Sequence, residues 1–301
     1  MKKYLFLLLL LPNLSLATSI SDFNPISHWT CDEVSGVRYD SVTANSNDLT
    51  DNNTVGYAAG LLSNACDFER DTSEYLSITD GSQTSLDHAD DDYSVSFWIK
   101  YESLPPSQDN AYIIYDKMEN ASGRKGYALQ LQMYPTNTYN YFALYGNADN
   151  NWDSGAVSPV IGTWYHVVVT VSLGTTVFYI NGSTITQTDF ATSNQIADSG
   201  ADFKIGQKTY QTLASQEYTF DGLIDEFTMF GQVLTSGEVT TLYNSGTPLP
   251  YESTGTTSTS SSATSTSSTL EDDNIVFMLG IIVFFLAFLW IGFILSPFKK
   301  V

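Results

Sequence analysis

Basic side chains are scarce in this sequence: 12 lysines and arginines stand against 33 aspartates and glutamates in 301 residues, a formal net charge of −21. Four of the 12 are Lys2, Lys3, Lys299 and Lys300, which leaves 8 basic and 33 acidic residues between the hydrophobic ends, a charge of −25. A surface of that sign repels phosphate backbones and excludes nucleic acid as a partner. Cations, basic proteins and neutral sugars stay compatible with it, as does plain solubility in a salty or crowded exterior. Cysteine is scarce too, and no CxxC pair or Cys/His cluster has metal-ligand spacing. The three histidines, His28, His88 and His166, are scattered, and His166 beside Trp164 reads as a packed strand residue. GxSxG, HExxH and P-loop patterns are missing, which removes nucleophile-elbow hydrolases, zincins and P-loop enzymes.

Long apolar runs are confined to the two ends. Residues 1–17, MKKYLFLLLLLPNLSLA, have a basic start, an apolar stretch from Tyr4 to Leu11 and small residues near Ala17, the pattern of a secretory signal peptide. An uncleaved anchor is the alternative, but the run is shorter than the roughly 18 residues of a span. Residues 275–295 carry no charge and, as a helix, reach about 31 Å, the thickness of a bilayer core. Acidic residues at 271–273 precede this run and Lys299 and Lys300 follow it, so it is expected to be a transmembrane helix with the N-terminal bulk outside the cell membrane. A glycolipid-anchor signal is the runner-up. Residues 251–274 are mostly Ser, Thr and Gly, a composition that buries no core and reads as a stalk, with 296–301 a cytoplasmic tail.

What is present between these ends, over 18–250, is β pattern. In GTWYHVVVTVSLGTTVFYINGSTI, residues 162–185, Tyr165, Val167, Val169 and Val171 alternate with His166, Val168 and Thr170. After a turn, Val177 and Tyr179 alternate with Phe178 and Ile180, and Asn181-Gly182 suits a type I′ hairpin turn. Such a meander needs a second sheet to bury both of its faces. Further strands are expected at about 26–34, on both sides of a tight turn within 63–79, at 93–102, in AYIIYDKM, GYALQLQMY and YNYFALYG, around Trp152, in ADFKIGQ and in YTFDGLIDEFTMFGQVL. In the last of these, Leu223, Asp225, Phe227 and Met229 are expected to share one face. TSGEVTTLYNSG reads as a helix, with Thr235 and Glu238 at capping-box spacing and Asn244 or Gly246 to end it. The even cysteine count in an exported chain suggests one disulfide between Cys31 and Cys66; two separate buried thiols are the alternative.

The order HWTCDEVSG, DSVTANSNDLT, ACDFERDTSEYLSI, YSVSFWIKYE, GTWYHVVVTVS, VFYINGS, FKIG and FDGLIDEFTMF with its capped helix resembles the laminin G-like, concanavalin A-like jelly-roll domains, most of all the surface version related to pentraxins. The resemblance covers about 24–246. It implies an all-β fold of two antiparallel sheets in a jelly-roll sandwich, with the first strand beside the 220–230 strand. It also implies adhesion or glycan recognition more than catalysis, with glycans or extracellular proteins as partners. Members often hold structural calcium at a rim loop, and the matching metal ligands here are Asp225, Asp40 and Asp48, whose hard oxygens suit that ion. An alternative role for Asp225 is to bond backbone amides. The paired-calcium cluster of pentraxins has no counterpart.

One run invites a catalytic reading. Glu69, Asp71 and Glu74 spell E-x-D-x-x-E, as in laminarinase-type glucanases, where the carboxylates line a cleft. Here Arg70, Thr72 and Ser73 separate them in a turn, so no catalytic residue is assigned. Trp152, Tyr139 and Tyr141 are candidates to stack on sugar faces, against the alternative that they fill core or sheet surface. Asn52, Asn120 and Asn181 match the N-glycosylation acceptor pattern, and the tight turn at Asn181 is expected to present it to solvent. The reading is a membrane-anchored extracellular binding module. A surface-coat protein without a small ligand and a laminarinase-like glycoside hydrolase are its alternatives.

Overall fold

Alternation decides which segments become strands and which side chains they bury. The structure, a computed structural model, describes residues 19–89, 92–105, 111–119, 125–133, 140–146, 151–172, 175–185, 196–209 and 218–252. The chain divides into two units at residue 254, and every described residue belongs to the first. The expected signal peptide, stalk, transmembrane helix and tail lie outside the described residues, as do Tyr139 and Asn120. Among the described residues, no helix is long and apolar enough to cross a membrane.

The strands, in chain order, are β1 (Pro25–Trp29), β2 (Thr50–Asn52), β3 (Gly56–Ala59), β4 (Asn64–Phe68), β5 (Tyr75–Ile78), β6 (Tyr93–Tyr101), β7 (Ala111–Met118), β8 (Gly126–Met133), β9 (Asn140–Tyr145), β10 (Asn151–Asp153), β11 (Trp164–Ser172), β12 (Thr175–Ile180), β13 (Ser183–Thr184), β14 (Phe203–Ile205) and β15 (Gly222–Phe230). They form two antiparallel sheets. One is ordered β13-β12-β11-β6-β15-β4-β3, and β1 also pairs with β15; the other is ordered β10-β9-β8-β7-β14-β5-β2. β4 pairs with the first half of β15 and β1 with the second, so the first strand does lie beside the 222–230 strand.

The inner faces close on each other. Val95, Phe97, Ile99 and Tyr101 of β6 meet Leu129 and Leu131 of β8 and Phe203 and Ile205 of β14 in one buried cluster. Trp29 stacks on Phe203 at 5.8 Å between ring centroids, and Phe97 on Phe227 at 5.5 Å. The eight-stranded sheet is also covered on its outer face. Helix α1 (Ser236–Tyr243) is capped as expected: the Thr235 hydroxyl accepts from Glu238 N at 3.3 Å, and the Glu238 carboxylate accepts from Thr235 N at 2.7 Å. Val239 and Leu242 of α1 pack with Val168, Tyr179 and Phe230, and Ile20, Phe23 and Leu249 complete this second apolar cluster. Ile20 N donates to Pro250 O at 2.9 Å and Glu252 N to Ser19 Oγ at 2.7 Å, which pairs the two end segments. This cover explains why Ser96 and His166, on the outward side, are buried; their Oγ and Nε2 lie 2.8 Å apart beneath it.

Two expectations are corrected. β1 ends at Trp29 and does not run to 34, because Cys31 takes a positive φ of 60° and turns the chain. Cys31 is disulfide-bonded to Cys66 of β4, with 5.1 Å between Cα atoms. In β15 the alternation does not hold throughout. The pairing with β6 shifts between Asp225 and Thr228, where Glu226 has φ 51°, so Ile224 and Phe227 both face the core. This is a β-bulge, in which one extra residue reverses the facing of those that follow.

The bulge aims Glu226 at His28. Thr228 Oγ1 donates to Glu226 O at 3.2 Å and therefore accepts from His28 Nδ1, 2.8 Å away. His28 Nε2 then bears no hydrogen, and Glu226 Oε2 approaches it to 3.1 Å with no hydrogen bond at either atom among the described residues. The directions agree: burial lowers His28 to about 4, and burial, with the charge of Asp32, raises Glu226 to about 8. Burial and then the charge of Glu226 also raise Asp225 to about 8. Carboxyls raised in the folded state stabilise it fully below their unfolded pKa values, and that stability is lost as pH rises through about 8. Stability is therefore expected to fall between about pH 5 and 8, by roughly 1.4 kcal/mol per pH unit for each carboxyl, and to level off above that, with the melting temperature following. Glu226→Gln, which removes one titrating carboxyl at nearly constant volume, should reduce that slope; a melting series with an unchanged slope would refute the assignment.

Candidate functional site

The outer face of the seven-stranded sheet is polar where the other sheet is covered. Register places Thr50, Ser77, Lys204, Asp116, Ala128, Tyr145 and Asn151 in one row across all seven strands. A neighbouring row holds Gln130, Ala143 and Asp153. The two alanines leave room between longer side chains, and a pocket of about 210 Å³ opens there, bordered by Asp116, Gln130, Gln132, Tyr145, Lys208 and Tyr218 over an apolar base of Ile113, Met118 and Ala128.

Asp116 is fully buried at the floor of the pocket. Its Oδ1 accepts from Met118 N at 2.9 Å. Its Oδ2 has no hydrogen-bond donor among the described residues. The nearby Thr209 hydroxyl is turned instead to the carbonyls of Asp116 and Asp202, at 3.5 and 3.2 Å. Burial pushes the carboxyl up to about 6, while Met118, Thr209 and the charge of Lys208 pull the other way. Gln132 Oε1 accepts from Gln130 Nε2 at 3.2 Å, Tyr141 OH at 3.0 Å and Tyr145 OH at 3.3 Å. Three donors on that one oxygen fix the orientation of the Gln132 amide. Lys204 Nζ lies 4.5 Å above the Tyr75 ring, and Lys208 Nζ 4.4 Å above Tyr218. Burial lowers the pKa of Lys204, offset in part by Asp116 and Asp202. The pocket thus combines an orphaned acceptor, fixed amides, half-buried phenols and an apolar base.

Of the stacking candidates, Tyr141 stands on this face, hydrogen-bonded to the pocket wall. Trp152 is corrected: it points inward, 3% exposed, in the core between the sheets, because it pairs with Leu144 on the inner side of β9. The carboxylates of the expected metal set hold backbone amides. Asp40 accepts from His28 N at 2.9 Å, Val42 N at 2.9 Å and Asn47 N at 3.1 Å, Asp48 from Asp40 N at 2.8 Å, and Asp225 from Leu61 N at 2.8 Å. The three do not come together. Among the described residues, the group of three carboxylates whose oxygens lie within 4.8 Å of one another is Asp67, Glu69 and Glu102. Within the E-x-D-x-x-E run, Glu74 closes the turn, accepting from Glu69 N at 3.0 Å and Thr72 Oγ1 at 2.8 Å, while Asp71 is exposed. Asn52 uses its Nδ2 on Thr50 O and Ser77 Oγ, at 3.0 and 2.9 Å. Asn181 turns its side chain back to accept from His166 N at 2.9 Å and is only half-exposed, a correction to the expected presentation to solvent.

Sequence reasoning missed Asp116, Gln130 and Gln132. The alternation of Gln130 and Gln132 with Leu129 and Leu131 was a usable signal for polar residues on an outer face. Asp116 had none, because the register shift between Ile113 and Tyr115 puts Ile113 and Asp116 on the same side at an odd spacing.

The family described as "Concanavalin A-like lectin/glucanases superfamily" matches residues 70–240. Domain 4 of AbnA, an extracellular arabinanase of Geobacillus stearothermophilus solved in complex with arabinotriose, is similar at 20% identity and a TM-score of 0.53, over 72% of this chain and 97% of that one. The binding domain of Paraclostridial Mosquitocidal Protein 1 matches at 18% identity and a TM-score of 0.53, over 70% of this chain and 52% of that one. The binding domain of botulinum neurotoxin serotype G gives 18% and 0.53, over 73% of this chain and 50% of that one. The chain thus spans about half the length of the two toxin domains, and at these identities the likeness is one of fold. No match to a curated protein was found.

Proposed function

Because the chain belongs to the concanavalin A-like lectin/glucanases superfamily, we propose that it is a carbohydrate-binding module. It would hold a glycan on the outer face of its seven-stranded sheet, outside the cell, on a single membrane anchor over 275–295. The observation that carries this reading is Asp116: a buried carboxylate with one oxygen unpartnered among the described residues, in a pocket flanked by amides and phenols on the outer face of the sheet. An unpaired buried acceptor costs about 1–3 kcal/mol, which a ligand hydroxyl would recover. The complex of the arabinanase domain with arabinotriose supports sugar as the ligand class for this architecture. Calcium is not called upon, since Asp40, Asp48 and Asp225 are engaged with backbone amides.

Binding is favoured over hydrolysis on the same geometry. Glycoside hydrolysis uses two carboxyl groups about 5–9 Å apart across the scissile bond. Asp116 is the one carboxylate bordering the pocket among the described residues. The test is a glycan-array screen of the purified full-length protein, with calcium and then with chelator, beside an assay for released reducing ends. Retention of at least one polysaccharide class, weakened tenfold or more by Tyr145→Ala and accompanied by no sugar release, is expected. Release of sugar would favour the hydrolase. An empty array would favour the surface-coat protein.

A further inference from the structure

Residues 154–163 carry the chain from the seven-stranded sheet to the eight-stranded one, and this connection is fastened to both. Val157 exchanges backbone hydrogen bonds with Asn140 of β9, at 2.7 and 3.2 Å. Gly162 N donates to Tyr101 O at 2.8 Å, and Val160 N to the Tyr165 hydroxyl at 2.9 Å. The connection therefore crosses the gap between the sheets, and a cavity of about 240 Å³ lies against its residues 156–159. Phe142 of β9 walls the cavity from one sheet; Tyr101, Tyr165 and Val167 wall it from the other, with half-buried Ile180 beside them. Directly after the lining residue Pro159, Val160 and Ile161 are 60% and 55% exposed, an apolar pair on the outside of the same connection. Among the described residues, none of those lining the cavity carries a charge. Lys100 and Glu102, on either side of Tyr101, are turned away from it: Lys100 lies over the Trp164 ring, and Glu102 stands with Asp67 and Glu69.

One polar group in these walls is unspent. Tyr101 is 1% exposed, and its hydroxyl has no hydrogen-bond partner among the described residues. Burial, with the Tyr165 phenol adding to it, holds the Tyr101 phenol far above its ordinary pKa, so it keeps its proton and stays a donor. Water satisfies such a place poorly. A buried water takes about three hydrogen bonds, and the side chains here offer two phenols and the hydroxyl of exposed Ser158. We propose that the cavity is a second binding site, for an uncharged aromatic or alicyclic group that carries one acceptor oxygen, a carbonyl or an ether, which accepts a hydrogen bond from the Tyr101 hydroxyl. Size fits this class: an apolar cavity of about 150 Å³ holds benzene, so this one has room for a ring with a short substituent or for a fused pair. A carboxylate or ammonium would be buried here without a counter-charge. The site lies between the sheets and not on the outer face, so this inference stands apart from the glycan reading.

The experiment titrates three probes into the purified full-length protein by ligand-observed NMR: acetophenone, ethylbenzene, which has nearly the same shape without the oxygen, and benzoate. Ile180→Trp, which fills the cavity with an indole, reports what each probe does elsewhere on the protein, and binding is counted as the part this variant loses. Should that variant melt well below wild type, Ala156→Phe, at an exposed lining position, takes its place. Acetophenone and ethylbenzene are expected to bind, and benzoate tenfold or more weaker than acetophenone. Tyr101→Phe removes an unpartnered hydroxyl, so its melting temperature should equal or exceed that of wild type. It should weaken acetophenone fivefold or more and leave ethylbenzene unchanged or tighter. An equal effect of Tyr101→Phe on the two neutral probes would overturn the hydrogen bond, and with it the acceptor-bearing ligand. Probe binding that the cavity-filling variants leave intact, or no binding of either neutral probe up to its solubility, would overturn the site itself. The glycan array reads the other face and decides the glycan reading separately.

Discussion

Asp116→Asn is expected to abolish glycan binding, by a factor of a hundred or more, while making the protein more stable at pH 7 to 8. Both effects come from one atom. The fold raises the Asp116 carboxyl to about 6 through burial. A carboxyl raised in the folded state stabilises it fully below its unfolded pKa, near 4, and that contribution is lost as pH rises through about 6. The ionised group thus costs the protein on the order of 3 kcal/mol at neutral pH. An asparagine keeps the acceptor for Met118 N without the charge, so the melting temperature at pH 7.5 rises. Binding responds to pH in the opposite sense. A ligand hydroxyl donating to Oδ2 favours the ionised carboxylate and lowers its pKa in the complex, so affinity weakens as pH falls through about 6. The groups that share this environment, Lys204, Lys208 and Asp202, do not reverse that sign: protonated lysines keep the carboxylate charged, and Asp202 acts mainly on Lys204. Titration calorimetry from pH 5 to 8, with wild type and variant, checks both parts. Undiminished affinity in Asp116→Asn, or affinity that grows on acidification, would be incompatible with this role.

Removing the disulfide carries the largest expected loss of stability. Cys31 and Cys66 are separated by 35 residues. Closing a loop of that length in the unfolded chain is worth about 4 kcal/mol on the chain-entropy account. In a domain of this size that corresponds to a fall of roughly 8–16 °C in melting temperature. The bond also does a local job. β1 pairs with only the second half of β15, and the chain turns away at Cys31 into an irregular stretch that reaches β2. With Cys31→Ser and Cys66→Ser, the loss should therefore appear first as exposure of the β1 amides to hydrogen exchange. Binding by the opposite sheet should persist at temperatures below the new melting point.

How much was legible in the sequence depended on whether one strand or several decided the answer. Period two in Val95, Phe97, Ile99 and Tyr101 was sufficient, because β6 runs straight and its inner face is all apolar. The capping box at Thr235 and the αL stop at Asn244 were local chemistry and came out as read. Parity failed wherever a strand gained a residue. The shift near Glu226 moved Phe227 to the core side of Ile224, and the shift near Ile113 hid Asp116 from any alternation argument. The pocket is a product of register among seven strands whose order, β10-β9-β8-β7-β14-β5-β2, is far from chain order at β14. Lys204 and Asp116 are 88 positions apart in the chain and neighbours in the sheet. Trp152 failed for another reason: a lone tryptophan in a polar stretch reads as a surface residue until pairing with β9 turns it inward.

The paired end segments fix which sheet the two ends of the described domain lie against. Residues 19–23 and 247–252 lie together over the eight-stranded sheet, in one apolar cluster with α1. The polar row belongs to the other sheet. Residue 252 and the face bearing Asp116 and Tyr145 are therefore on opposite sides of the sandwich, one against each sheet. A force applied between that face and the end segments would cross the sandwich along the axis on which both sheets press together, and not along a direction that peels one edge strand from its neighbour.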